Sequence, residues 1–213
     1  MAEKSLSKAN RYGAFINLPY DDRYEAILLA FVAGLCGFGL IPRATLEIPT
    51  SQRRLDRIEK LLDKCRYSFH DLSCIEPRFN MPFELGLAVH RSNRDPRRHD
   101  FVVFEAKRFR LQKTLSDLNG TEVHCHGGSG VGVLRELPNV LTRTRHKPTV
   151  KNLRDIYMKL NKFAAHIKTE LETKSLFDAR PFAELVIAAS KIARKTIPSL
   201  EKKADINHRT RRK

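Results

Sequence analysis

The sequence lacks several features that define common classes of protein. Among its 213 residues there is no tryptophan, and aromatic residues make up only 8%. No uninterrupted apolar run reaches the roughly 18 residues that a membrane-spanning helix needs, because the apolar stretch 27–40 is short and interrupted by glycine. The first residues also lack the apolar segment of a secretory signal peptide. We therefore expect a cytoplasmic protein that does not cross a membrane.

Cysteine is scarce, and its four positions show no paired spacing. A disulfide framework is therefore not expected, and the cysteines are predicted to be reduced thiols. Cys36 and Cys65 fall on helical apolar patterns and are predicted to lie in the core. Cys74 follows Asp71 closely and is a weaker candidate for a reactive thiol.

Positive charge is abundant and unevenly distributed. The formal net charge is +16, but residues 1–142 contain 21 Lys and Arg against 17 Asp and Glu, whereas residues 143–213 contain 19 against 7. We therefore expect a polyanion to meet the last third of the chain first.

Hydrophobic residues make up 41% of the chain, which is enough for a core. Short apolar runs near 12–18, 40–44, 67–72, 101–105 and 123 predict strands, and they alternate with helical patterns near 24–37, 51–65, 81–90 and 109–115. The second helical pattern has Leu55, Ile58, Leu61, Leu62 and Cys65 as its inner stripe. This alternation predicts an α/β fold with a flavodoxin-like parallel sheet of about five strands in the order 2-1-3-4-5 and helices on both faces.

The character of the chain changes after residue 142. Apolar stripes from Leu153 to Leu171 and from Phe182 to Ala193 predict two long helices, with Pro181 at the start of the second. We predict an α/β domain over 1–142 and a basic helical hairpin with a disordered tail over 143–213. The hairpin must bury its stripes on the sheet domain or on another subunit.

The most informative stretch is 67–90, YSFHDLSCIEPRFNMPFELGLAVH. A strand ends at Asp71, a polar loop follows, and a helix begins near Asn80, which is predicted to cap it. Glu84 is then expected in the first turn, where the positive end of the helix favours an ionised carboxylate.

The predicted strand order makes strands 1 and 3 neighbours at a topological switch point, where α/β sheets bind ligands. Asn17 ends strand 1 and Asp71 ends strand 3, so both are expected near Glu84. A partly dry carboxylate such as Glu84 is suited to attack or stabilise an anomeric carbon, with Asp71 as its partner. The candidate substrate-binding residues are Asn17, Ser73, Arg78 and Asn80. The alternative is that Glu84 only stabilises its helix and Asp71 only caps a loop.

Several segments carry a family resemblance. Phe83-Glu84-Leu85-Gly86-Leu87-Ala88 resembles the nucleophile motif of nucleoside 2-deoxyribosyltransferases, whose superfamily architecture is shared by TIR-like NAD-cleaving domains. Over residues 12–126 the chain also resembles a bacterial family called TIR-like or nucleotide-binding, through the segments FIN at 15–17, IPR at 41–43, HDLS at 70–73, PRFNMPFELG at 77–86 and SDLNG at 116–120.

The resemblance implies that Glu84 is the catalytic carboxylate and that Asp71 binds the sugar. It also implies a nucleotide or NAD as ligand, no other cofactor, a role in antiphage defence, and a homodimer in which the site is completed across subunits. The deoxyribosyltransferases have small residues where this chain has Asn80, Met81 and Pro82, and their C-terminal asparagine has no counterpart here. Hydrolysis is therefore expected rather than transfer of deoxyribose.

Other motifs are interpreted as structural. The glycine-rich segment 127–132 lacks the Lys-Ser/Thr of a P-loop and predicts a loop that enters a helix. His124 and His126 are expected on one solvated strand face, and no metal site is predicted because no second ligand pair has the required spacing. His70 is predicted to be a core residue, and Asp117 and Asn119 to form a turn.

Three functions are consistent with the sequence. The first is cleavage of an N-glycosidic bond in NAD or another nucleotide. The second is nucleotide binding or protein interaction without chemistry. The third is association with nucleic acid or an anionic protein through the hairpin, where Lys159, Lys162, Lys168, Arg194 and Lys195 lie off the apolar stripes.

Overall fold

The structure, a computed structural model, describes residues 11–48, 51–73 and 79–200. Cys74, Arg78 and the predicted disordered tail lie outside the described residues. Within these ranges the chain forms five strands and seven α-helices. The strands are β1 Gly13–Asn17, β2 Ile41–Arg43, β3 Tyr67–Asp71, β4 Asp100–Glu105 and β5 Val123–Cys125. The helices are α1 Glu25–Gly37, α2 Arg54–Lys64, α3 Asn80–Arg94, α4 Arg110–Thr114, α5 Gly130–Val140, α6 Val150–Glu170 and α7 Ala179–Thr196.

The five strands form one sheet in the order β2-β1-β3-β4-β5, and every neighbouring pair is parallel. The predicted α/β class, flavodoxin-like order and C-terminal helical hairpin are therefore confirmed. In the register of the sheet, Asn17 of β1 lies beside His70 of β3. Asp71 of β3 lies beside Phe104 of β4.

Alternation along the strands divides the sheet into two faces. On the first, which we call the α1 face, Ile16, Phe69 and Phe104 pack with α1 and α5. On the second, the α3 face, Phe15 packs with α2 and α3, and Val103 packs with α3 and α4. Each strand therefore sends successive side chains into different layers.

The helical hairpin α6–α7 packs on α1, so α1 is covered by the sheet on one side and by helices on the other. Every residue of α1 from Ile27 to Gly37 is buried. A Cβ on Gly37 would lie 2.5 Å from Leu153 of α6, which shows how closely the two helices approach. Both predicted stripes contribute to one core that also contains the sheet residues of the α1 face. The hairpin therefore finds its apolar partner within the same chain.

Three details differ from the sequence predictions. Leu55 is 36% exposed rather than buried, because the packing of α2 begins only at Ile58. The helix α3 continues to Arg94, beyond its predicted end, so the polar connection to β4 is shorter. Lys168 is not a free cation of the hairpin, since its Nζ contacts Glu25 Oε2 at 2.6 Å.

The predicted burial of two cysteines agrees with the structure. Cys36 and Cys65 are buried, and burial raises the pKa of each thiol to about 12. Cys125 is half-buried and also a free thiol. In the part of the chain that the structure describes, no helix combines the length and apolar character needed to cross a membrane.

Candidate functional site

The parallel sheet brings three polar residues to its carboxyl edge. Asn17 ends β1, Asp71 ends β3 and Glu105 ends β4. Because β1 and β3 are neighbours whose connections leave in opposite directions, this edge contains the switch point at which such sheets bind ligands. Glu84 reaches the same region from α3, which follows β3.

Glu84 is buried, with 3% of its surface exposed. Its Oε1 accepts hydrogen bonds from Arg54 Nε at 3.1 Å and from Asn80 Nδ2 at 3.4 Å. Among the described residues, its Oε2 has no hydrogen-bond partner although the atom is buried. Within the described residues, one oxygen of the carboxylate is therefore fixed, and the other can accept a hydrogen bond from a ligand.

Two predictions about this helix start are corrected. Glu84 is the fifth residue of α3 rather than a member of its first turn, because the helix begins at Asn80. Asn80 is already helical and its side chain makes no capping hydrogen bond; the residue that flanks the helix is Phe79. The amide of Asn80 instead contacts Glu84, one helical turn further on. The carboxylate of Glu84 is therefore held by Arg54 and Asn80 rather than by the helix end.

Arg54 is held in place from a second direction. Its guanidinium lies over the ring of Tyr20, 5.4 Å from the ring centre, in a cation–π contact. The Tyr20 hydroxyl lies 2.6 Å from Thr45 Oγ1. Burial raises the pKa of Tyr20, the hydrogen bond to Thr45 and the charge of Arg54 lower it, and the charge of Glu84 raises it. Tyr20, Arg54 and Glu84 thus form one electrostatic group between the loop after β1 and the starts of α2 and α3.

Asp71 is fully buried and contacts a different set of residues. Its Oδ1 accepts hydrogen bonds from the backbone N–H of Ser73, at 2.8 Å, and from the Ser73 hydroxyl. Its Oδ2 lies 3.3 Å from His126 Nε2, without hydrogen-bond alignment. Within the described residues no hydrogen bond or ion pair joins Asp71 to Glu84. The reason is alternation, since Asp71 shares the α1 face with Phe69, whereas Glu84 lies on the α3 side.

His126 has a defined orientation. Its Nδ1 accepts a hydrogen bond from the backbone N–H of Gly128 at 3.0 Å. In a neutral imidazole the other nitrogen then carries the proton, so Nε2–H faces the carboxylate of Asp71. This pair connects the end of β3 to the loop after β5 across the intervening strand β4.

Asn17 belongs to a buried polar chain on the α3 face. Its Nδ2 lies 3.2 Å from His70 Nδ1, and His70 Nε2 lies 3.0 Å from Ser68 Oγ. Ser68 Oγ lies 2.9 Å from His99 Nε2. Burial, followed by the charge of His99, lowers the pKa of His70 to about 3. The prediction that His70 is a core residue agrees with this geometry. The side chain of Asn17 contacts His70 in the same network.

Glu105 is a second buried glutamate at this edge, and its oxygens are occupied. Its Oε1 accepts from Arg110 Nη2 and from the backbone N–H of Ala106, both at 2.6 Å, and its Oε2 accepts from Arg110 Nε at 2.8 Å. Arg110 Nη2 also donates to the carbonyl oxygen of Leu72 at 2.9 Å. Glu105 and Arg110 therefore connect the loops after β3 and β4, and both oxygens of Glu105 already accept hydrogen bonds.

Three phenylalanines lie exposed at the carboxyl edge. Phe79 is 84% exposed and Phe83 is 58% exposed, and they are one helical turn apart at the start of α3. Phe109, in the loop after β4, is 71% exposed and has a left-handed backbone with φ of 62°. Exposed aromatic side chains beside a buried carboxylate offer flat surfaces for a base or a pyridine ring.

The other motifs have structural roles. The glycine-rich segment enters α5 as predicted, with the Ser129 hydroxyl accepting from the Gly132 N–H at 3.1 Å. His124 and His126 do share one face, but both are buried rather than solvated because α5 covers that face. Asp117 lies in a 3-10 turn, as predicted. Among the described residues, no three His, Cys, Asp or Glu side chains converge in the way that a metal ion requires.

Sequence reasoning missed Tyr20, Arg54, Glu105 and His126. Arg54 and Tyr20 carry no local signal, because their roles depend on tertiary contacts. Glu105 ends a buried strand in the same way as Asp71, so the criterion that selected Asp71 applied to it as well.

No family model, no curated protein and no solved structure matches this chain. The resemblance to deoxyribosyltransferases and TIR-like domains therefore rests on the sequence motifs alone.

Proposed function

We propose that the protein hydrolyses the N-glycosidic bond of a nucleotide, with Glu84 as the carboxylate that stabilises or traps C1′ of the sugar. The observation that carries this proposal is the asymmetry of Glu84. Its Oε1 is fixed by Arg54, whereas its buried Oε2 has no partner among the described residues. A buried acceptor without a partner destabilises the folded state, and such groups concentrate at functional sites.

The surroundings of Glu84 support electrostatic stabilisation of a positive centre. In a site shielded from water, a preoriented carboxylate acts on a developing oxocarbenium ion more strongly than it does in solution. Arg54 holds the carboxylate in one orientation, and Tyr20 holds Arg54. The site therefore need not reorganise as charge develops.

The chemistry of the leaving group favours NAD over a neutral nucleoside. When the bond between C1′ and the pyridinium nitrogen breaks, the electron pair goes to the nitrogen and nicotinamide departs as a neutral molecule. Water then adds to C1′ and loses a proton, which gives ADP-ribose. Departure needs no general acid, and this suits a site in which the described contacts of Glu84 include no second carboxyl group. The exposed phenylalanines add surfaces against which the ring can stack.

Purified protein should be incubated with NAD and, separately, with adenosine and inosine monophosphates. We expect free nicotinamide from NAD, and we expect Glu84→Gln to abolish it because the amide carries no charge. Glu59→Gln makes the same change at an exposed position on α2 and serves as the matched control. Chromatography of the free bases measures the product.

Two results would contradict the proposal. Equal release of nicotinamide by the wild type and Glu84→Gln removes Glu84 from the mechanism. Release of purine but not of nicotinamide would contradict the expectation that NAD is the preferred substrate because nicotinamide leaves as a neutral molecule.

A nucleotide-binding module without chemistry is the second candidate function. It is favoured by the contacts of Asp71, which faces His126 on the α1 face instead of standing beside Glu84. In this case NAD or a nucleotide raises the melting temperature of the protein, and no base is released. The predicted sugar-binding role of Asp71 stays a prediction.

A further inference from the structure

A cleft of about 710 Å³ lies at the opposite, amino edge of the sheet. Five arginines line it, and the described residues contribute no carboxylate to its lining. The arginines are Arg11, Arg66, Arg97, Arg143 and Arg145. The cleft is separate from Glu84, so its function does not depend on the enzymatic proposal.

The parallel topology explains why residues distant in sequence meet here. Arg11 precedes β1, Arg66 immediately precedes β3, and Arg97 lies in the connection that leads to β4. Because all strands run in one direction, these positions come to the same edge. The helix α5 begins at the carboxyl edge and runs back, so the segment after it, with Arg143 and Arg145, also reaches the amino edge.

Arg66 is the best-fixed cation of the cleft. Its backbone N–H donates to Gly13 O and its carbonyl oxygen accepts from Asp100 N–H, both at 3.0 Å. Its guanidinium lies over the ring of Tyr67 at 5.1 Å, and its buried Nη1 has no hydrogen-bond partner among the described residues. A buried guanidinium nitrogen without an acceptor indicates a place where an anion oxygen is accommodated.

Arg143 also lies near Tyr67, the residue whose ring Arg66 contacts. Burial raises the pKa of the Tyr67 hydroxyl, the charge of Arg66 lowers it, the charge of Asp100 raises it and the charge of Arg143 lowers it, so both guanidinium groups lie near the same phenol. The segment of Arg143 is held by Thr144, whose hydroxyl lies 2.8 Å from Leu141 O and 3.1 Å from His146 O. The cations are therefore presented by an ordered backbone.

Within the described residues, the five arginines differ from several others in having no acidic ion-pair partner. Arg43, Arg53 and Arg91 each form an ion pair with a nearby carboxylate. Across the described residues, no ion pair involves any of the five that line the cleft. Like charges gathered without counter-charges repel one another, so the cluster is stabilised when an anion binds.

The five arginines of the first cleft, which we call the trough, are more than a single phosphate requires. A second cleft of about 600 Å³ shares Tyr67 and Arg143 with it, but its described lining includes the carboxylates Asp100 and Glu122 and adds no further Lys or Arg. The cations described in the two clefts are therefore confined to the trough. A small anion needs only two or three converging donors, whereas a phosphodiester strand requires cations at successive positions.

We propose that this trough binds the phosphate backbone of a nucleic acid strand. The site differs from the exposed faces of the hairpin, where Lys168 is already paired with Glu25. Recognition is expected to be weakly selective for sequence, because guanidinium–phosphate contacts carry no base information.

The test is fluorescence anisotropy of the full chain with a labelled single-stranded DNA of about 20 nucleotides, longer than a typical single-domain site. Neutralisation of five phosphates predicts a loss of affinity of roughly 100-fold between about 50 and 200 mM salt. Removing two of the five cations with Arg143→Ala plus Arg145→Ala should weaken binding about tenfold or more at the lower salt and reduce the salt dependence.

The matched control is Lys159→Ala plus Lys162→Ala, which removes the same charge from exposed positions of α6. It should leave the affinity nearly unchanged. Equal losses in the two double variants would overturn the proposal, because the binding would then reflect net charge alone. No binding by the wild type at low salt would also overturn it.

Inorganic tripolyphosphate is the competing small ligand. If it displaces the DNA only at a large molar excess, the trough recognises a strand. If it binds as tightly as the DNA does, the site serves a small phosphate ligand and the proposal is wrong. Thermal melting of both double variants confirms that each one is folded.

Discussion

Glu84 and Glu105 are two buried glutamates at the same edge of the sheet, and each contacts an arginine. Both oxygens of Glu105 accept hydrogen bonds, whereas Oε2 of Glu84 accepts none within the described residues. The difference separates a carboxylate that connects two loops from one whose second oxygen has no partner in the described part of the chain. Residue type and burial alone do not distinguish them; the hydrogen-bond partners do.

The contact between Arg54 and Glu84 can be tested at the level of one side chain. Arg54→Ala leaves Oε1 of a buried carboxylate without its charged donor, so we expect a loss of about 1–3 kcal/mol in the free energy of unfolding. Urea unfolding measures it. Arg53→Ala is the matched control, because the ion pair of Arg53 with Asp56 is exposed, and we expect no measurable change. Similar unfolding midpoints for the two variants would show that the buried pair contributes no more than the exposed one.

His70 makes the stability depend on pH. Burial holds its pKa at about 3 in the folded protein against 6.5 for an ordinary histidine, so the unfolded chain binds more protons between these values. The contribution of neutral His70 to the free energy of unfolding is therefore complete above about pH 6.5. It is lost as the pH falls, at about 1.4 kcal/mol per pH unit for one histidine. Burial also lowers the pKa of His99, which adds to the effect in the same direction.

The variant His70→Gln retains hydrogen-bonding capacity but does not titrate. We expect it to reduce the slope of the unfolding free energy against pH between about pH 6.5 and 5. The reduction corresponds to at most one bound proton, or about 1.4 kcal/mol per pH unit. His166→Gln, at a histidine whose side chain is 67% exposed, should keep the wild-type slope. A wild-type slope in His70→Gln would mean that other groups cause the pH dependence.

At the scale of elements, Gly132 in α5 and Gly86 in α3 differ in the space that surrounds them. A Cβ on Gly132 would lie 1.9 Å from the carbonyl oxygen of His126, so the start of α5 and the loop after β5 approach as closely as glycine allows. A Cβ on Gly86, in the interior of α3, would meet no atom within 4 Å. The first glycine positions His126 beside Asp71, and the second is replaceable.

We therefore expect opposite effects from the same substitution. Gly132→Ala should destabilise the protein by roughly 1–3 kcal/mol or more, because the backbone must move. Gly86→Ala should stabilise it by about 0.5–1 kcal/mol through helix propensity. Urea unfolding of both variants measures the difference, and a stabilising Gly132→Ala would show that the loop of His126 moves freely.

The elements were predictable to the extent that they depend on local patterns. The strand runs and their alternation with helices predicted the sheet order, because short apolar runs and parallel connections leave few topologies. The start of α3 was not predictable in detail: Asn80 has the side chain of a cap, but its backbone is already helical. The partners of Glu84 were not predictable, because Arg54 lies 30 positions away and meets Glu84 only through the packing of α2 beside α3.

Strand periodicity explains the main departure in the candidate site. The topology brought Asn17, Asp71 and Glu84 to one edge, as expected, but a shared edge does not ensure a shared face. Asn17 faces the same layer as His70, and Asp71, one residue further along β3, faces the opposite layer. Counting strand parity from Phe69 makes this assignment possible from sequence once the strand boundaries are known.

At the scale of the whole molecule, the two polar edges of the sheet differ in charge. The carboxyl edge contains buried carboxylates with arginine partners, whereas the five arginines of the cleft at the amino edge form no ion pair with any residue that the structure describes. The excess positive charge of residues 143–213 contributes to the amino edge through Arg143 and Arg145. The two proposed sites are therefore separated by the length of the strands, and a variant in one should leave the other unchanged.

The hairpin α6–α7 shares one hydrophobic core with the α1 face of the sheet. It contacts α1 at both ends: Glu25 accepts from Lys168 Nζ at 2.6 Å and from the Leu176 N–H at 3.0 Å, and Cys36 Sγ lies 3.5 Å from Ser190 Oγ. Between these ends the hairpin covers the apolar residues of α1 from Ile27 to Gly37. A chain ending at Leu141 would expose that surface to water.

We therefore expect truncation at Leu141 to prevent stable folding rather than to yield an independent α/β domain. Binding of a hydrophobic dye, loss of near-ultraviolet circular dichroism and aggregation on heating measure the outcome. Phe182→Ala in the full chain is a milder test, since this buried side chain belongs to the shared core, and a loss of about 3–5 kcal/mol is expected. Ile187→Ala, at a position of α7 that is 49% exposed, is its control and should have a much smaller effect. A truncated chain that unfolds cooperatively at the temperature of the full protein would show that the sheet and α1 are stable without the hairpin.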